Sequence, residues 1–350
     1  MNICHVLWGL SYGGIETMVV NIANLQANAD HNLSIMIIND IIDETLLKKL
    51  DPRIKTLFIK RPIGSKNPYY ILKANVALLK EKPDLVHFHQ LDQKRFFIRS
   101  ISEKHCVTIH SDWLPYMRKF INSYKNIFVI SKYVKENIEK NSHSQTNLIY
   151  NGIRVDNFKQ KTKWFEKGKK PFKILQLGRI VFSFKGQDVF VEALNILNSK
   201  KIDFEADIIG IGKDSQRLQE LIEERGLSDK IKLLGLKEQD YLKEHLCDYD
   251  LVVHPSRHEG FGLVIIEAMA AKVPVLISDI KTQVEIIDNG KAGYIFKSED
   301  ASSMAKEIVN IMNNYNIDIT ERAYQYVTKN FKVEMTTQRY LEEYNKIVNS

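Results

Sequence analysis

Cysteine is scarce: Cys4, Cys106 and Cys247 are far apart in 350 residues and never form a Cys-x-x-Cys pair. That argues against a disulfide framework or a cysteine-built zinc site and fits a reducing cytosol. Long apolar runs are also missing. A spanning helix needs roughly 18 such residues, and the best stretch, Phe261 to Ile277, is broken by Glu267, Lys272 and Pro274. A leader pattern is not evident either, because no basic region precedes Ile3–Trp8 and Gly13-Gly14 follows at once. Low-complexity tracts and short repeats are absent. These absences lead to the expectation of a cytoplasmic protein, peripheral on the inner membrane face at most.

What is present is an ordinary globular composition, 44% hydrophobic, and enough chain for two domains at roughly 100–200 residues each. The net charge of +7 is uneven: 24 Lys+Arg against 14 Asp+Glu in residues 1–165, then 26 against 29 in the rest. A basic first half points to an anionic partner.

Short apolar runs alternate with amphipathic stretches. Strands are expected at Ile3–Trp8, Leu33–Ile38, Asp84–Phe88, Cys106–His110 and Ile127–Ile130. A second series is Lys173–Leu177, Glu205–Gly210, Lys230–Leu234, Leu251–His254 and Pro274–Ile277. Helical periodicity fills the gaps, as in Ile15–Gln26, Tyr69–Lys80, Asp188–Leu197 and Ser215–Arg225. Such alternation predicts an α/β protein with parallel sheets. The charged run Lys159–Lys170 reads as the linker. Domains are therefore expected at 1–165 and 171–331, with a last helix at about 332–350.

Three segments carry chemistry. In His254-Pro-Ser-Arg-His-Glu259-Gly-Phe261-Gly262-Leu263, a strand ends, a glycine loop follows and a helix starts near Gly262. Free amides at a helix start bind anions without side-chain charge. Glu259 lies in the loop and Glu267 eight residues on; carboxylates there can accept bonds from sugar hydroxyls. A capped helix with two solvated glutamates is the plainer alternative. In Leu177-Gly178-Arg179-Ile-Val-Phe-Ser-Phe-Lys185-Gly186 a strand end presents two cations, a match for a diphosphate or simply surface charge. Gly13-Gly14-Ile-Glu16 turns the chain after the first strand, beside a ligand phosphate or as a mere tight turn.

Taken together, Gly13-Gly14-Ile-Glu16, His110, Asn151-Gly152-Ile153, Gly178-Arg179 with Lys185-Gly186, Gly210-Ile-Gly212, and Glu259 through Glu267 resemble glycosyltransferase family 4. That family comprises retaining enzymes of the GT-B architecture, two Rossmann-like domains with parallel sheets facing across a cleft. The resemblance covers nearly the whole chain and implies roles at matching positions. Arg179 and Lys185 would hold the donor diphosphate with the amides of Phe261, Gly262 and Leu263. Glu259 would bind the transferred sugar, Glu267 the ribose, and His110 would sit at the reaction centre. Gly14 would close on the phosphate, and the last helix would pack back on the first domain. One departure is His110-Ser111-Asp112, where relatives often have His followed by Gly or Asp; it leaves Asp112 without a role. His110 also reads as a hydrogen-bonded histidine at a strand end.

No cofactor is expected beyond the donor itself, a UDP-sugar in preference to a GDP-sugar. The expected acceptor is a glycan or lipid-linked glycan, with no nucleic acid, since no RNA-binding motif is present. Asp248-Tyr-Asp250 resembles a metal-binding DxD but reads better as a strand start. His87 and His89 share a strand face with no third ligand near in sequence, so no metal is expected. Lys94–Lys104 and Trp113–Phe120 mix cations with aromatics and read equally as an anionic-membrane surface or as a core-facing stripe. The rival functions are a GT-B sugar-nucleotide epimerase or hydrolase and a non-catalytic sugar-nucleotide-binding subunit.

Overall fold

The computed structural model describes residues 1–11, 13–98, 104–112 and 114–350. The chain divides into two compact units, Met1–Gly152 with Val333–Ser350, and Ile153–Lys332.

In the first unit the strands are β1 (Asn2–Leu7), β2 (Asn32–Asn39), β3 (Lys55–Arg61), β4 (Leu85–Phe88), β5 (His105–Ile109), β6 (Ile127–Val129) and β7 (Asn147–Leu148). They pair in parallel in the order β3-β2-β1-β4-β5-β6-β7. The second unit has β8 (Phe172–Leu177), β9 (Phe204–Ile209), β10 (Ile231–Gly235), β11 (Leu251–His254), β12 (Val275–Ser278) and β13 (Tyr294–Phe296). Its parallel order is β10-β9-β8-β11-β12-β13. Central strands such as VVH in β11 and CHVL in β1 are buried throughout, as expected for sheets covered on both faces. In each sheet the order reverses once, between β1 and β4 and between β8 and β11.

Two expected features are corrected. The Lys159–Lys170 segment is no linker. It packs on the second unit, with Phe165 edge-on to Phe172 at 4.7 Å and Lys161 buried against Asp250 at 3.0 Å. Its lysines looked like a solvated run because their acid partner stands some eighty residues later. The boundary lies instead at Gly152–Ile153. Strands β3, β7 and β13 were not expected; β3 carries a charge at either end, and the other two are only two or three residues long.

The helix Val333–Asn349 buries Val333, Thr337, Tyr340, Leu341, Tyr344 and Ile347, a 3–4 residue stripe, in the core of the first unit beside the helix Gly14–Asn28. Tyr344 bonds His87 on β4, and Tyr340 lies 3.0 Å from Thr108 on β5. The polar ends of these two tyrosines thus find partners inside an apolar layer.

Candidate active site

In the second unit the chain leaves β8 in one direction and returns to β11 on the other side. That reversal opens a crevice at the carboxyl ends of the two strands, the usual ligand position in such sheets. The loop after β8 (178–186) and the loop after β11 (255–262) meet there. Arg257 ties them: its amide donates to the Phe184 carbonyl at 2.8 Å and its guanidinium forks onto Asp188 at 2.7 and 2.8 Å. Gly186 permits the contact. Its φ is +64°, and a Cβ on it would fall 2.1 Å from the Pro255 carbonyl oxygen.

The crevice joins residues 74 apart in sequence. Lys185 Nζ pairs with Glu259 Oε2, and the same oxygen lies 3.0 Å from His254 Nε2. Burial works to raise the Glu259 pKa, but the Lys185 charge and the His254 hydrogen bond outweigh it and hold the carboxyl well below its usual range. Burial in turn lowers His254, and Ser256 Oγ stands 3.1 Å from the same Nε2.

Arg179 is exposed at the mouth of the first loop, without a side-chain partner among the described residues. Gly210 and Gly212 follow β9 and press on that loop. Cβ atoms there would lie 2.0 Å from the Gly178 carbonyl oxygen and 2.1 Å from that of Ile180, so these glycines shape the loop. Helix Leu263–Ala270 starts after Gly262, whose φ is +107°. The amides of Gly262, Leu263 and Val264 make no backbone hydrogen bond among the described residues, and amides so placed at a helix start suit an anion. The Phe261 ring is buried, edge-on to Phe331 at 5.6 Å. Glu267 sits in the second turn, buried, accepting from Gln239 Nε2 at 2.8 Å; burial raises its pKa.

Sequence reasoning missed His254, Arg257 and Gln176. Gln176 lies on β8, fully buried with neither amide end bonded, and its Nε2 lies 3.8 Å from where a Cβ on Gly178 would stand. A buried amide unpaired at both ends needs water or a ligand. Its place two residues before Gly178 was the available signal. A separate cavity of about 250 Å³, lined by Lys173, Asp207, Lys232 and Tyr249, lies at the amino ends of the strands, away from these groups. Asp250 is held by Lys161, Lys170 and the Lys173 amide, and Asp248 bonds His245. The DxD pair is therefore spent on structure.

In the first unit, Gly13 is extended (φ −161°) and caps the helix Gly14–Asn28. No left-handed turn requires a glycine there. The Glu16 carboxylate folds back to 2.7 Å from where a Gly13 Cβ would be. His110 follows β5, half-buried, with burial lowering its pKa to about 3; its Nε2 is 3.2 Å from His89 Nδ1. Asp112 accepts from Asn137 at 2.7 Å.

A third histidine does join His87 and His89. It is His5 on the neighbouring strand β1, paired in register with His87, a partner 82 residues away that spacing along one strand cannot reveal. The rings are engaged with one another and with protein oxygens. His87 faces Tyr344 and Thr108, and His5 faces His89 at 3.0 Å and Gln26 at 2.8 Å. Their ring nitrogens lie within 4.8 Å of one another, near enough for one metal ion, yet in this arrangement each nitrogen already has a hydrogen-bond partner in the protein.

The segments Lys94–Lys104 and Trp113–Phe120, expected to face a membrane, are part core and part surface: among their described residues Ile98, Leu114 and Tyr116 are exposed. Phe96, Phe97 and Met117 are buried, and Lys94 reaches His105 at 2.7 Å. Arg99, Ile101 and Trp113 lie outside the described residues. A denser stripe of exposed apolar side chains lies on the helix Tyr69–Glu81: Tyr69, Leu72, Val76 and Leu79.

Residues 156–330 match the glycosyl transferases group 1 family, and residues 12–157 match Glycosyltransferase Family 4. An uncharacterised glycosyltransferase of Methanocaldococcus jannaschii is 28% identical over 248 residues, 66% of either chain. The amylovoran biosynthesis glycosyltransferase AmsK of Erwinia amylovora is 31% identical over 165 residues, 45% of this chain and 40% of that one. A crystal structure of a glycosyltransferase from Rickettsia africae superimposes with a TM-score of 0.81 at 26% identity, over 99% of this chain and 98% of that one. Anabaena HepE in complex with UDP-glucose superimposes with a TM-score of 0.82 at 19% identity, over 99% and 100%. The chain belongs to the glycosyl transferases group 1 family, and is a glycosyltransferase with two parallel-sheet Rossmann-like domains of the GT-B architecture.

Proposed function

We propose that the protein transfers a sugar, with retention and without a metal, from a nucleoside diphosphate sugar to a hydroxyl of a glycan or lipid-linked glycan in surface polysaccharide assembly. The contact between Lys185 and Glu259, beside the free amides of Gly262 and Leu263, carries this reading. It sets groups suited to a diphosphate next to a carboxylate suited to sugar hydroxyls, at the sheet's switch point. Arg179, Lys185 and the amides of Phe261, Gly262 and Leu263 take the charge that builds on the leaving phosphate. Glu259 holds the transferred sugar as it becomes oxocarbenium-like, and Glu267 holds the ribose. The acceptor hydroxyl attacks the face the diphosphate leaves, and a departing phosphate oxygen takes its proton. Gly14 and His110, in the first unit, keep the roles that the family resemblance implies. UDP is the favoured base, since the Anabaena neighbour was solved with UDP-glucose, and AmsK's part in amylovoran biosynthesis supports a polysaccharide setting.

The test is a donor screen by thermal shift with UDP, GDP and ADP, followed by turnover of Arg179→Ala and Lys185→Ala. Each variant should lose roughly 10²–10³ in turnover, the loss typical of one preorganised donor. Near-normal rates in both would remove the diphosphate assignment, and abolition of transfer by chelator with rescue by manganese would remove the metal-free reading. Donor supplied alone should persist; its epimerisation or rapid hydrolysis would favour the rival enzyme class.

No helix among the described residues is long and apolar enough to cross a membrane. Peripheral contact instead uses the outer face of the helix Tyr69–Glu81. Seven Lys/Arg and one acid lie between Lys55 and Lys82, around the stripe Tyr69, Leu72, Val76 and Leu79. Leu72→Glu with Leu79→Glu should release the protein from anionic vesicles. Unchanged binding, or equal binding to neutral vesicles, overturns this placement.

A further inference from the structure

The sheet of the first unit carries a row of imidazoles that the proposed chemistry leaves unused. His5 lies on β1, His89 follows β4 and His110 follows β5, three adjacent strands, so the row crosses the sheet toward its carboxyl ends. It starts at a buried amide. His5 Nε2 is 2.8 Å from Gln26 Oε1, His5 Nδ1 is 3.0 Å from His89 Nε2, and His89 Nδ1 is 3.2 Å from His110 Nε2. Successive rings are nearly parallel, at 22° and 27°.

A neutral imidazole has one N–H and one lone pair. An amide oxygen only accepts, so His5 must carry its proton on Nε2 and leave Nδ1 bare. His89 must then donate from Nε2 into that lone pair, which leaves its own Nδ1 bare. His110 must in turn donate from Nε2. One oxygen at the inner end thus orders every proton along the row. A charge on His5 or His89 would set two N–H groups against each other where water cannot help, since both rings are fully or almost fully buried.

We infer that Gln26, acting through His5 and His89, fixes His110 as the Nε2–H tautomer, so that its Nδ1 is a hydrogen-bond acceptor for a ligand hydroxyl. The hydroxyl half rests on the proposed function; the tautomer half does not. Nδ1 has no protein partner among the described residues, and His110 is half-buried, so that edge is the one left to a ligand. Gln26, His5 and His89 are positioning residues, since none of them touches substrate. They set which atom of His110 accepts.

Long-range 1H–15N spectra of the full chain with 15N-histidine test this, with His110 assigned by its loss in His110→Gln. At pH 7.5, His110 should show a protonated Nε2 and a bare Nδ1. The opposite tautomer overturns the proposal outright and would mean that the Gln26 amide presents its NH2 group to the row; this reading needs no folded variant beyond the assignment. Gln26→Met keeps side-chain length and removes the amide, with Gln26→Leu as a second variant. Either should give mixed His110 tautomers and turnover lower by roughly tenfold, the worth of one hydrogen bond. Gln26→Glu, still an acceptor, should restore the single tautomer. An unchanged His110 spectrum in Gln26→Met, with the His245 and His254 signals intact, also overturns it. Adding UDP-glucose or UDP-N-acetylglucosamine with acceptor should move Nδ1 and leave Nε2 protonated. A fixed tautomer whose Nδ1 never moves overturns the hydroxyl half alone.

Discussion

At the residue scale, the two glutamates are held by different neighbours. Glu259 is paired to a cation in the loop; Glu267 is buried under an amide donor and its pKa is raised by that burial. Glu259→Gln should slow turnover while leaving affinity for the free nucleoside diphosphate nearly intact, because that ligand lacks the sugar. Glu267→Gln should weaken the free nucleoside diphosphate by about 1.5–3 kcal/mol, as for a hydrogen bond to a charged group. Calorimetric titration of both variants with UDP decides this, and the reverse pattern would exchange their roles. Both residues, with Arg179, Lys185 and Gly262, were legible in the sequence because each lies in a contiguous motif at a strand end. His254 lay inside such a motif and still escaped notice, since its value comes from the Glu259 oxygen 3.0 Å away. His5 could not be read at all without the register that sets β1 beside β4.

At the element scale, the segment Lys159–Lys170 is held to the second unit by a buried ion pair. Lys161 and Asp250 are both almost wholly buried, and burial is the main cause of the lowered Lys161 pKa, partly offset by the Asp250 charge. Asp250→Ala should destabilise the second unit by about 3–5 kcal/mol, since it leaves a buried ammonium without its acid. Lys161→Met with Asp250→Leu should recover much of that loss. Urea unfolding of the single and double variants measures it; equal stability of the wild type and Asp250→Ala would mean the pair is idle. Alternating strands and helices were readable along the chain because apolar runs and helical stripes repeat locally. Boundaries were not readable, because a charged run looks the same whether it meets water or a partner eighty residues away. A cut after Lys332 makes the same point. It should lower the first unit's unfolding midpoint and leave the second unit's nearly unchanged, since Tyr340 and Tyr344 bond into the first sheet. Equal losses in both units would contradict the division at Gly152–Ile153.

At the scale of the whole molecule, the buried histidines govern the response to acid. Burial lowers His5 to about 4 and His110 to about 3, and pushes His87 and His89 well below their ordinary value. The unfolded chain binds these protons first, near pH 6.5, so the stabilising contribution is complete above that pH and is lost as pH falls toward 4. Thermal unfolding scanned from pH 7.5 to 4 should show the first unit failing ahead of the second, with a shallower slope in His5→Asn than in the wild type. A first unit indifferent to pH over that range would show that the folded rings bind protons as those of the unfolded chain do. The helix Val333–Asn349 gives the molecule one more property, a matter of time. The sheet that leaves the ribosomal tunnel ahead of the second unit is closed by residues made only after that unit. Through the making of all 180 residues from Ile153 to Lys332, the faces of His87 and Thr108 stay uncovered, and the earlier half of the protein becomes the later half to finish folding.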